Sequence, residues 1–197
     1  MAETEGVRTI NGVEAPAPGD WKFDPSHSEM AFIARYLMVT KVRGGFGEFS
    51  GTFHIAEVPE ESWVDVTIKA DSIDTGTADR DKHLRSADFL DVERFPELRF
   101  RSTKVELTGD MGLKVTGDLT IRDVTKQVVL DAEFQGMAKD PWGGTRTAFS
   151  ATTEIDREDF GASWNVALEA GGWLVSKKVR LELEAQAILA KPEEAGS

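Results

Sequence analysis

Cysteine is absent from this 197-residue chain. That excludes disulfides, thiolate zinc sites, iron–sulfur ligation and a cysteine nucleophile. Histidine is scarce: His27, His54 and His83 are the three present, no two at metal-ligand spacing, so no metal is expected. Basic residues are outnumbered, 23 Lys+Arg against 35 Asp+Glu, for a formal net charge of -12. This argues against nucleic acid or an anionic membrane surface as the main partner, because both need basic patches. No apolar run approaches the length of a membrane span, so no integral membrane segment is expected. The first 20 residues lack a basic start and an apolar run, so no secretory signal is expected and the cytoplasm is the expected compartment. Enzyme signatures are missing as well: there is no GxSxG elbow, P-loop, GxGxxG after a strand, or HExxH.

What is present has period two. Residues 63–70 set Val64, Val66, Ile68 and Ala70 against Asp65, Thr67 and Lys69. Residues 28–35, 113–121, 128–134 and 179–187 alternate in the same way. This is the pattern of antiparallel sheet with one wet face. Less regular strands fit residues 46–55, 98–106 and 145–155. In the first of these the apolar phase slips between Phe46 and Phe49, which implies a bulge or a kink at Gly47. The cluster Gly44-Gly45-Phe46-Gly47 has no helix after it and reads as a strand-entry turn rather than a phosphate loop. About eight strands joined mostly by short turns, at Gly109-Asp110, Arg122-Asp123 and 141–144, suit an up-and-down barrel wide enough for one ligand.

One link differs. Residues 74–96 are long and helical in composition, with Thr77 as a candidate cap and Leu84 and Ala87 at helical spacing. A smaller helix-like insert covers residues 156–160. Residues 1–20 and 191–197 read as flexible tails around a domain of residues 21–190, which carries -8 of the charge.

Several blocks recur in order. They are Trp21, Asp24-Pro25-Ser26-His27-Ser28 and Phe32, then Val42-Arg43-Gly44-Gly45-Phe46 and Phe49-Ser50-Gly51-Thr52-Phe53. Arg80-Asp81, His83-Leu84-Arg85-Ser86, Asp88-Phe89 and Phe95-Pro96 follow, then Gly117, Leu119-Thr120-Ile121, Asp123-Val124-Thr125 and Gly172 to Val179. In this the chain resembles the YceI-like family, known for polyisoprenoid binding, over nearly the whole domain. The resemblance implies an all-β, eight-stranded antiparallel lipocalin-like barrel with a short helical insert. It also implies an apolar interior that holds an isoprenoid chain, no other cofactor, and a homodimer, which is common in the family. Many members are exported, unlike the compartment expected here. Two further departures stand out: Tyr36 replaces a frequent histidine, and Lys177-Lys178 replaces acidic residues before the last strand.

The strand phases nominate a binding surface. Met30, Phe32, Phe53, Val66, Ile68, Phe100 and Leu119 lie on inward faces, as do Val115, Leu130 and Phe134. Ala34, Gly117, Ala132 and Ala151 would leave space between them. Leu84 and Phe89 would close one end from the insert, Trp164 and Trp173 would line the rim, and Tyr36, His27 and Arg43 would meet a polar head. The same inward residues would also fill a solid core. The expected function is therefore binding of a long-chain polyisoprenoid lipid for transport, storage or protection, without catalysis. Two alternatives remain: an enzyme using His27 and His83 at the barrel mouth on an isoprenoid-like substrate, and a stress-response interaction module whose interior is packed solid.

Overall fold

The alternating segments form strands in a computed structural model that describes residues 6–10, 12–109 and 111–190. In chain order they are β1 (Val7–Ile10), β2 (Val13–Pro16), β3 (Gly19–Phe23), β4 (Glu29–Tyr36), β5 (Thr40–Phe46), β6 (Phe49–Ile55), β7 (Trp63–Lys69) and β8 (Ile73–Asp74). Helix α1 (Ala78–Arg85) follows, then β9 (Glu97–Leu107), β10 (Gly112–Ile121), β11 (Val124–Lys139), β12 (Thr145–Asp156) and β13 (Lys178–Leu189). Of the turn residues named above, Asp110 lies outside the described residues, as does the expected tail at 191–197.

Two pairs of strands act as single staves. β3 and β4 both pair with β13 and are separated by a short 3-10 turn at Pro25–His27. β5 and β6 are separated by Gly47 and Glu48, where the apolar phase slips, and Gly47 N donates to Ser72 O. Counted so, the sheet is an eight-stave antiparallel meander that ends on β12 and β13 and closes where β13 pairs back with β4 and β3. Gly44 and Gly45 lie inside β5 rather than in a turn. The reason is steric: a Cβ on Gly44 would stand 2.4 Å from the Phe32 ring, which lies across the strand.

The staves alternate in direction, so the two barrel ends differ. At one end lie the β4–β5 and β10–β11 turns, the insert between β7 and β9, and the loop between β12 and β13. This end is packed shut. Phe160 and Ala70 are buried, and Leu90, Val92 and Val124 pack on the same cluster. Two guanidiniums tie the pieces together. Arg122 Nη1 donates to Phe89 O at 3.2 Å and Gly161 O at 2.7 Å. Arg157 is 6% exposed; it donates to Ser176 O and Ala162 O, and its charged group lies over the Phe89 ring. Burial pulls the Arg157 pKa below the ordinary arginine value, against the opposing charges of Glu158 and Asp156. Thr77 stands at the α1 N-cap, but its side chain makes no capping bond. The turn is held instead by Asp81, whose carboxylate accepts from Thr75 N and Thr75 Oγ1.

The other end holds the β6–β7, β9–β10 and β11–β12 turns, the start of β3 and the end of β13. Residues 7–10 and 13–16, which composition assigns to a tail, form an antiparallel hairpin here. Residues 1–5 of that expected tail lie outside the described residues. Trp21, fully buried, anchors the chain just after the hairpin, and its Nε1 donates to Ala17 O. Beside it the break between β3 and β4 is stitched to β13. Ser28 Oγ accepts from Gln186 N at 2.9 Å, and Asp24 N donates to Gln186 O at 2.8 Å. The Arg146 guanidinium then bridges Asp24, Asp140 and Gln186.

The bridge makes the seam sensitive to acid. Burial pushes the Asp24 carboxyl up, but the Arg146 and His27 side chains and the Ser26 amide hold it below its ordinary value. The Gly144 amide holds Asp140 down too, with help from Arg146 and against partial burial. Both folded pKa values are depressed, so the unfolded chain binds more protons in acid, and stability falls as pH drops through them. Arg146→Met is therefore expected to lower Tm by several degrees at pH 7. It should also flatten the fall of Tm between about pH 5 and pH 3, where unfolded carboxylates titrate. Thermal melts followed by circular dichroism across that range check this, and parallel Tm curves for the two proteins would refute it.

Candidate ligand cavity

An eight-stave barrel has an interior that large side chains can fill completely. Here they do not. Ala132 on β11 and Ala151 on β12 are register partners, and Ala185 on β13 pairs with Phe149. Small inward residues on three adjacent staves thin that wall. On β10, Gly117 lets the Phe100 ring lie flat, since a Cβ there would stand 2.5 Å from it. The result is a cavity of about 200 Å³ inside the barrel. Its β10 wall runs from Leu113 to Leu119, roughly 20 Å of strand at the usual rise per residue. Val115, Ala151, Leu181 and Leu183 point inward yet are only partly buried, because part of their surface faces this space.

The lining is apolar. Among the described residues, His54 and Ser62 are the only polar side chains on its wall, and none is an Asp, Glu, Lys or Arg. His54 Nδ1 lies 2.6 Å from Asp20 Oδ1 and its ring stacks on Trp63. An ion in this space would lose its hydration without compensation, whereas a hydrocarbon chain gains about 0.8 kcal/mol per buried CH₂. At the hairpin end an aromatic row crosses the interior. Phe23, Phe53 and Phe149 meet edge to face, and Phe134 follows at 5.4 Å from Phe149.

Of the nominated residues, Met30, Phe53, Val66, Ile68, Phe100 and Leu119 share the cavity wall, as do Val115 and Leu130. Ala132 and Ala151 are on it too, and the remaining nominees lie elsewhere. Phe32 is taken up by Gly44 and by Phe46, 5.9 Å between rings. Leu84 is absent from the wall, and Phe89 and Trp164 pack on each other and on His83 at the insert end. Tyr36 and Trp173 are 43% and 44% exposed at that same end, with Tyr36 bridged to Val175. Arg43 is on the outer face because it pairs in register with Ile33, one residue out of phase with Phe32. There it binds Glu182 and Glu29 at 2.6 and 2.9 Å. His27 bonds Asp24 at the β3–β4 break, while His83 bonds Asp88 beside the helix at the other end. Neither is on the cavity wall, so no shared pocket joins the two histidines.

Several wall residues were not nominated, among them Phe23, Phe149, Leu181, Leu183 and Ala185. The alternation of β13 already put its three on one face. Phe149 sits in an irregular pattern, because the β11–β12 register shifts between Phe134 and Gly136.

A family model described as a YceI-like domain matches residues 21–187. The UPF0312 protein plu2095 of Photorhabdus laumondii is 43% identical over 160 residues, 80% of this chain and 82% of its own length. The crystal structure of the Campylobacter jejuni YCEI protein is similar with TM-score 0.69 and 32% identity, covering 80% of this chain and 90% of that one. A polyisoprenoid binding domain from Saccharophagus degradans, implicated in plant cell wall breakdown, shares the fold with TM-score 0.66 at 15% identity, covering 86% of this chain and 98% of that one.

Ala151→Trp should fill this cavity without unfolding the barrel. The expected result is a Tm within a few degrees of wild type and at least a tenfold loss in affinity for an apolar fluorescent dye. Glu154→Trp, on the outer face of the same strand, should leave dye binding unchanged. Equal binding by all three proteins would show that the dye does not enter the barrel.

Proposed function

This chain belongs to the YceI-like family, and on that footing we propose that it binds a long-chain polyisoprenoid lipid inside the barrel, for transport, storage or protection of that lipid. The observation that carries the reading is the cavity wall, apolar along its length and free of charged side chains among the described residues. A prenyl chain offers only hydrocarbon to such a wall, and each buried CH₂ contributes about 0.8 kcal/mol, so a few isoprene units reach useful affinity without a polar contact. The rings of Phe53 and Phe100 and the methyl groups of Val66, Ile68 and Leu119 suit a branched, unsaturated chain. The polyisoprenoid-binding domain from Saccharophagus degradans has the same fold and supports the reading at that level.

Acid–base catalysis needs a titratable group within reach of the substrate. His27 and His83 are paired with Asp24 and Asp88 away from the cavity, so chemistry that needs both has no shared site; His54, the histidine on the wall, is held by Asp20.

Native mass spectrometry of the gently extracted protein, before and after incubation with a defined polyprenol, tests this. The expected result is a mass increment equal to one isoprenoid lipid, abolished by Ala151→Trp. Protein that stays empty in both preparations would defeat the reading.

A further inference from the structure

The interior does not stop at the strand ends. A second chamber of about 120 Å³ lies between the β1–β2 hairpin and the barrel end. Ile55, Ser62, Val105, Leu113 and Phe149 belong to the walls of both chambers, so the two adjoin. The hairpin roofs the outer one with Arg8, Ile10, Val13, Ala15 and Pro16. It is a separate two-stranded sheet with no strand pairing to the barrel, and it precedes the family-matched residues 21–187.

The outer chamber has a different chemistry from the inner one. Among the described residues, Arg8 and Ser62 are its only polar side chains. Arg8 Nη1 donates to Glu57 O at 2.9 Å and lies 3.9 Å from Glu57 Oε2, a carboxylate 86% exposed to solvent. Its Nε is buried and has no hydrogen-bond partner. Ser62 Oγ accepts from Ala56 N at 3.0 Å, which leaves the hydroxyl proton available to donate. Arg8 and Ser62 thus place a guanidinium and a hydroxyl on the wall of a small, otherwise apolar space whose lining supplies no carboxylate among the described residues. A guanidinium and a hydroxyl on an otherwise apolar wall suit an oxygen acceptor on a ligand.

We propose that this chamber is the head-group compartment of the ligand site, taking the oxygen-bearing end of a lipid whose apolar chain fills the barrel, with Arg8 and Ser62 as the donors. This rests on the barrel being the lipid site. The hairpin roof then selects for a terminal oxygen, either a neutral carbonyl or a phosphate, and sets the direction in which the chain enters.

Equilibrium binding of three probes to the full-length protein tests it: squalene, which has no oxygen, a prenylated benzoquinone, and a prenyl monophosphate. Wild type should bind the oxygenated probes more tightly. Arg8→Met keeps the apolar bulk and should weaken at least one oxygenated probe about tenfold while leaving squalene unchanged. Ser62→Ala should give a smaller loss with the same selectivity. A larger loss with the phosphate identifies an anionic head, and a larger loss with the quinone a neutral carbonyl. Equal weakening of squalene and the oxygenated probes would make Arg8 a structural residue and overturn the proposal, as would unchanged binding in both variants. If wild type binds none of the three, squalene included, the barrel reading itself fails.

Discussion

One strand closes this molecule. β13 pairs with β12 along nearly its whole length, with β4 over Arg180–Glu184 and with β3 over Ala187–Leu189. Without that seam the sheet has two open edges and no inside. The seam crosses the one break in its facing stave, so the local chemistry at Asp24–Ser28 matters to the whole barrel. Ser28 Oγ and the Asp24 amide take up the Gln186 backbone groups where ladder pairing lapses. Arg146 then neutralises the partly buried Asp24 and Asp140 carboxylates, whose side chains are 12% and 10% exposed. Breaking such a cluster leaves charge with no partner in a poorly hydrated place, which costs more than the pairs contribute when intact.

Closure fixes the width of the interior, and side-chain size then decides whether that interior is solid. The staves opposite the thinned wall carry Phe53, Val66, Ile68 and Phe100, while β11, β12 and β13 present Ala132, Ala151 and Ala185. Hydrophobicity alone would not make a cavity, because an apolar interior of larger residues packs to crystal density. The acidic charge is kept on the other face of the same strands. Glu29, Arg43, Glu182 and Arg180 form an exposed chain of ion pairs across β4, β5 and β13. Pairs of this kind add little to stability. They do keep the outside wet while the inside stays dry.

The fold class, the stave count, the Phe46/Phe49 phase slip and the position of the helical insert were all legible from alternation and turn residues, since each is a local property of the chain. The cavity wall was half legible. Met30, Phe53, Val66 and Phe100 follow from strand phase, but phase cannot say where along a stave the interior is open. Phe32 has the right phase and is spent on covering Gly44. Arg43 is nominated on its chemistry alone, since arginine suits a polar head, whereas its place in the strand register with Ile33 sends it outward. The hairpin was missed for a different reason. Four-residue strands carry too little pattern to stand out among Gly and Pro, and this pair gains stability by covering apolar residues at the barrel end and by the Arg8 bond to Glu57 O.

The two ends of the barrel are therefore not equivalent. At the insert end the Arg157 and Arg122 guanidiniums bond backbone carbonyls of the loops that seal it, although Arg157 Nη2 and Arg122 Nε stay buried without a partner. At the hairpin end the covering element has no ladder bond to the barrel. A sheet closed by continuous pairing resists local opening, whereas a separate hairpin held by side chains belongs to the low-stability end of the range of local openings. A hydrophobic ligand enters such a barrel most readily through the part that opens most cheaply. The missing ladder between hairpin and barrel thus makes that end of the molecule the physically favoured entrance.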